Sequence, residues 1–104
     1  MSNMIFTNVR VLDCSGDEPF DAEVEIQGNR INKISRTPLA REEHTVIDGQ
    51  GCTLMPGLGE AHAHPSFTDI AVFEDIGDTP PEEHTLLTLH YARVLFDAGF
   101  TSLF

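Results

Sequence analysis

The sequence predicts an α/β chain, with a β-rich module over residues 1–55 followed by a strand, helix, strand (βαβ) unit over residues 56–104. Three observations carry this. Residues 4–12 and 21–35, on either side of a turn-rich stretch, alternate apolar and polar side chains with a period of two. A helix signature runs from Thr79 to Gly99, and two short strand-like stretches, Gly57–His64 and Phe100–Phe104, stand on either side of it.

In MIFTNVRVL, residues 4–12, Ile5, Thr7, Val9 and Val11 fall on one face of a half-buried strand. After the turn-rich CSGDEP, the run DAEVEIQGNRINKIS sets Ala22, Val24 and Ile26 against Glu23, Glu25 and Gln27. Gly28-Asn29 supplies the positive φ of a tight turn, and Ile31 and Ile34 resume the apolar side, which predicts a β-hairpin. A polar link, SRTPLAREEH, leads to a short strand at Thr45–Asp48, the turn DGQG, and a strand at Cys52–Met55. The strands of this module are expected to be antiparallel.

The second half changes character. Thr79 is the expected N-cap of a helix, Pro80 its first residue, and Glu82 and Glu83 face the positive end of the macrodipole. Leu87, Tyr91, Val94 or Leu95, and Ala98 recur at helical spacing, and Gly99 fits the left-handed position that ends a helix. Gly57–His64 is expected to run parallel to Phe100–Phe104, as a βαβ unit requires. One such unit cannot cover both faces of a parallel sheet, so the chain is expected to be the front end of a longer protein whose remainder completes the sheet.

Composition narrows the function classes. Hydrophobic residues make up 40% and charged residues 22%, ordinary globular usage. Seventeen acidic against six basic residues give a net charge of −11, which opposes binding to nucleic acid or anionic lipid. No apolar run is long enough to span a membrane and no secretory leader is evident, which leaves the cytoplasm as the expected compartment. Cys14 and Cys52 make no disulfide framework and read as reduced thiols.

The chemistry concentrates at His62 and His64. On a strand, Glu60, His62 and His64 project to one face, and the two imidazoles are close enough to converge on a single ion. The spacing alone is weak, because five histidines in 104 residues produce about 0.24 such pairs by chance. His44 reads as a solvated residue of the REEH link, and His84 and His90 as plain surface or packing residues of the helix. The connection from Ser66 to Asp78 is longer than most βα loops, so Phe67 and Phe73 are candidate lining residues of a substrate pocket. The alternative is a short extra helix with both phenylalanines packed.

VIDGQGCTLMPGLGEAHAHP, from Val46 to Pro65, resembles the N-terminal signature of the amidohydrolase superfamily. There a turn-rich D-x-x-G, a strand, P-G-[LFM] and an acidic residue before x-H-x-H open the first barrel strand. DAGFTSLF is similar to the end of the first barrel helix and the start of the second strand in the imidazolonepropionase-like branch. The resemblance implies part of a β-sandwich over residues 1–55 and the start of a TIM-type (β/α)8 barrel over 56–104. It implies hydrolysis of an amide or other non-peptide C–N bond in a small-molecule substrate. One or two divalent ions, usually zinc, would polarise the substrate and activate a water. His62 and His64 match the first-strand ligands. The remaining ligands and the catalytic aspartate would come from later strands, so no catalytic residue lies in these 104 residues and the chain alone is expected to be inactive. Glu60 departs from the aspartate common at its position, and is expected to brace an imidazole or a strand neighbour. A homo-oligomer stays open. The competing reading is a noncatalytic binding or structural module in which the histidine pair is incidental.

Overall fold

The computed structural model describes residues 3–67 and 72–104, and the chain divides into two units, Met1–Pro56 and Gly57–Phe104. Five strands make up the first unit. They are β1 (Asn3–Val11), β2 (Phe20–Gln27), β3 (Arg30–Ser35), β4 (His44–Asp48) and β5 (Thr53–Leu54). The sheet runs in the order β3-β2-β1-β4, with β5 also on β1. β2 and β3 form the expected antiparallel hairpin, closed by the Gln27–Arg30 pair with Gly28 at φ 62.

Two expectations fail here. β4 and β5 both pair with β1 in parallel, so the module is not wholly antiparallel. The apolar pattern shows which face a strand buries and leaves its pairing direction open. A bulge also interrupts β1 between Phe6 and Val9, where Asn8 takes φ 51. Ile5 is the partner of Glu25 and Val46, while Phe6 is the partner of Val24 and Ile47. Cross-strand partners share a face, so Phe6, Val9 and Val11 join Ala22 and Val24 in one core cluster, and the fully buried Ile5 turns to the opposite side.

The bulge and the DGQG turn fit one another. The Thr7 carbonyl accepts from Gly49 N at 2.8 Å and the Asn8 carbonyl from Gly51 N at 2.8 Å. Asp48 Oδ1 accepts from Asn8 Nδ2 at 3.0 Å and from Gln50 N at 2.8 Å. A Cβ on Gly49 would run into Val9 Cγ1, so this approach requires glycine.

The second unit contains β6 (Leu58–Glu60), a 3-10 helix (Phe73–Asp78), α1 (Pro81–Asp97) and β7 (Phe100–Leu103). β6 and β7 pair in parallel on either side of α1 in the chain, the expected βαβ order. α1 starts one residue later than expected. Pro81 is its first residue, Pro80 stands at the N-cap, and Thr79 instead closes the 3-10 helix. Gly99, at φ 98, follows the helix and donates to the Phe96 carbonyl at 2.9 Å. Leu87, Tyr91 and Leu95 are half-buried, whereas Val94 is 52% exposed. Among the described residues no helix is long and apolar enough to cross a membrane.

Candidate metal centre

β6 stops at Glu60, four residues short of the strand expected over Gly57–His64, so His62 and His64 sit just beyond its end. The strand alignment nevertheless continues. Phe104 N donates to the Glu60 carbonyl at 3.0 Å, and Ala63 N donates to the Phe104 carbonyl at 3.0 Å. Ala63 is half-buried between two exposed histidines, and its N–H carries the pairing with Phe104 past the last regular ladder residue. Gly57 makes the start of this pairing possible, because a Cβ there would overlap the Thr101 side chain.

The two imidazoles converge. His62 Nε2 and His64 Nε2 are 2.6 Å apart, with ring centroids at 4.5 Å and planes at 75°. Two like nitrogens this close need a proton or a cation between them, so one Nε2–H donates to the other Nε2 when no ion is bound. Two nitrogens bound at about 2.0–2.1 Å to a tetrahedral ion stand about 3.3–3.4 Å apart, so the rings need to part by less than about 1 Å to hold one. As a donor set, a neutral imidazole pair sharing one point fits a borderline ion such as zinc. It fits as half a site. Among the described residues no group of three or more His, Cys, Asp or Glu side chains is placed to hold an ion.

Glu60, half-buried, turns its Oε1 to the backbone N–H of His62 at 3.2 Å, so it braces the main chain of the first histidine rather than a ring. The ring of His64 lies flat on Phe67, with centroids 4.2 Å apart and planes at 8°. The turn between them is closed by Phe67 N donating to the His64 carbonyl at 2.9 Å. A depression of about 310 Å³ borders this corner, lined by Glu60, both histidines, Phe67, Tyr91 and Leu95 among others. Phe73 opens the 3-10 helix, and its side chain lies outside the described residues.

Two histidines differ from their expected roles. His44 is not a solvated link residue: it begins β4, half-buried, with Nε2 2.9 Å from Glu25 Oε1 and Nδ1 donating to the Glu42 carbonyl at 2.6 Å. His84, in the first turn of α1, donates from Nε2 to the Ser66 carbonyl at 2.7 Å and so reaches the turn that carries His64. No sequence spacing signals that tie, because residues 66 and 84 are joined by a fold and not by a period. His90 stays on the surface beside Tyr91, at a centroid distance of 5.3 Å.

No family model matches the chain. Curated relatives do. A 5'-deoxyadenosine deaminase of Methanothermobacter thermautotrophicus is 36% identical over 84 residues, 81% of this chain and 18% of that protein. A dihydroorotase of Syntrophotalea carbinolica is 37% identical over 75 residues, 70% of this chain and 17% of that protein. Among solved structures, an amidohydrolase superposes with a TM-score of 0.86 at 26% identity, over 97% of this chain and 24% of its own. The chain therefore spans less than a fifth of the length of the curated relatives it matches.

Proposed function

Since the chain belongs to the amidohydrolase superfamily, we propose that it forms the N-terminal part of a metal-dependent hydrolase acting on a non-peptide C–N bond of a small-molecule substrate. The observation that carries this is the convergence of His62 Nε2 and His64 Nε2 at the end of a parallel strand. In parallel α/β folds the ends of strands are where catalytic groups gather. Relatives named a deaminase and a dihydroorotase support C–N hydrolysis as the reaction class and leave the substrate open.

In this reading β6, α1 and β7 are the first βαβ unit of a (β/α)8 barrel. The remaining strands supply the other ligands and the aspartate, and the chain by itself does not turn over substrate. His62 and His64 hold one zinc ion, with a second ion bound elsewhere in the barrel or absent. When bound, the ion polarises the substrate and makes a water nucleophilic near neutral pH. The part played by this chain is positional. Glu60 fixes the main chain at His62, and the Ala63–Phe104 bond keeps both rings on one side of the strand. The net charge of −11 fits a cytoplasmic enzyme that binds neither nucleic acid nor membrane.

The test is metal content. In the full-length protein that completes the barrel, the double variant His62→Ala/His64→Ala should lose bound zinc, read by elemental analysis after purification, while His90→Ala keeps it. His90 is the better control, since His44 is tied to Glu25. Zinc retained at wild-type stoichiometry by the double variant would return the pair to incidental histidines of a noncatalytic module.

A further inference from the structure

We infer that Phe67 and His84 are positioning residues for the metal half-site, setting the direction of the His64 ring before any ion arrives. The inference rests on the metal reading of His62 and His64, and concerns two residues to which that reading gives no role.

A histidine ligand has to be correct in two respects, the place of its backbone and the rotation of its ring. His64 has a separate restraint on each. Its ring lies 4.2 Å from that of Phe67 and nearly parallel to it, which limits rotation about χ2 because turning the imidazole would open the stacked face to water. Its backbone belongs to the turn closed by Phe67 N and the His64 carbonyl. The next carbonyl in that turn, Ser66, accepts the Nε2–H of His84 at 2.7 Å. The main chain of His84 is itself fixed, since its carbonyl accepts from Thr88 Oγ1 at 2.8 Å and it occupies the first turn of α1. The ligand-bearing turn is thus attached by the His84 side chain to the backbone of a seventeen-residue helix.

His62 has a restraint of another kind. Glu60 fixes its backbone N–H, and its ring is met edge-on by His64. The direction of both Nε2 atoms therefore depends on the ring of His64 being held. Groups that orient ligands are worth roughly 10–100-fold in metal affinity. For a half-site with only two ligands the lower end of that range applies.

The experiment titrates Zn2+ into the full chain, with isothermal calorimetry as the readout, and compares Phe67→Leu, Phe67→Tyr, His84→Ala and His84→Gln. Leucine keeps apolar bulk and loses the flat face. Tyrosine keeps the face. Glutamine keeps an N–H that can reach Ser66, and alanine has none. Phe67→Leu and His84→Ala should each weaken Zn2+ binding about 10-fold at unchanged stoichiometry, and Phe67→Tyr and His84→Gln should stay near wild type. Rescue by the conservative partner separates positioning from general damage. If His84→Ala does not fold, as read by circular dichroism, the Phe67 pair and His84→Gln decide the matter.

Wild-type affinity in Phe67→Leu, or equal weakening in Phe67→Leu and Phe67→Tyr, overturns the role of Phe67. His84→Gln as weak as His84→Ala, or as weak as Phe67→Leu when the alanine variant is unavailable, overturns that of His84. If His62→Ala/His64→Ala loses Zn2+ while all four variants bind normally, the metal reading stands and this inference falls. If the double variant keeps Zn2+, both fall.

Discussion

The two units handle apolar surface differently. Met1–Pro56 contains every buried hydrophobic residue of the described chain, Ile5, Val9, Val11, Ala22 and Val24. In Gly57–Phe104 no described residue is buried, and Leu86, Leu89 and Phe96 of α1 are 63–68% exposed. The first unit has a core of its own. The second has a site and the strands that position it, with the apolar surface of its helix open. Such a helix contributes little free energy by its own packing, so the stability of the chain resides in the sheet around β1.

Truncation breaks or sustains that contrast most directly. Ile5→Ala removes a fully buried side chain and should cost about 2–5 kcal/mol, while Leu89→Ala, at 67% exposure, should stay within about 0.5 kcal/mol. Urea unfolding of both variants reads the difference. Equal losses would mean that the helix is packed as tightly as the sheet. The exposed stripe has a companion effect. The chain alone should self-associate at high concentration, and light scattering should detect it.

Two glycines sharpen the comparison at smaller amplitude. Gly49 in the first unit faces Val9 Cγ1, and Gly57 in the second faces the Thr101 side chain. Alanine at either position drives a methyl into a β-branched neighbour, an overpacking that costs about 1–3 kcal/mol. Val9 is in the core and cannot move without disturbing Val11 and Ala22, whereas Thr101 is exposed. Gly49→Ala should therefore lower the urea midpoint more than Gly57→Ala. The reverse order would show that the β6–β7 pair, and not the DGQG contact, is the tighter approach.

What the sequence could show follows the same division. The β2–β3 hairpin was legible because its causes are local, Gly28 for the turn and Ile26 with Ile31 for the face. The helix was legible from its prolines, acidic first turn and terminal glycine, although the N-cap is Pro80 and not the expected Thr79, which closes the preceding 3-10 helix. The bulge was hidden. One extra residue at Asn8 moves Ile5 to the other face, and an alternating pattern continues to look regular across it. The parallel direction of β4 was hidden because its partner is 41 residues away in the chain. At the candidate site, the two histidines and their spacing could be read, but the Phe67 stack and the His84 bond could not. Both depend on where a turn meets a helix.

The smallest expected effect lies in the link that returns the chain to β4. Arg41 donates from Nη1 and Nη2 to the two carboxylate oxygens of Glu23 at 2.7 and 2.5 Å, and Leu39 N donates to the same carboxylate at 2.7 Å. The guanidinium hydrogen bonds, with the Leu39 bond added, hold the Glu23 carboxyl below its ordinary value of 4.5. A carboxyl with a lowered folded-state value binds protons more readily in the unfolded chain, so its contribution is present above 4.5 and is lost as pH falls through the lower folded-state value. Arg41 is 42% exposed, so water and salt screen the pair. Arg41→Ala should lower the urea midpoint slightly at about pH 7, by less than either glycine variant. The deficit should shrink as the pH is taken well below the ordinary carboxyl range, where Glu23 is protonated in both states. Added salt should shrink it as well. A deficit that is the same at about pH 7 and about pH 3 would mean that Arg41 acts through the packing of its aliphatic stem and not through its charge.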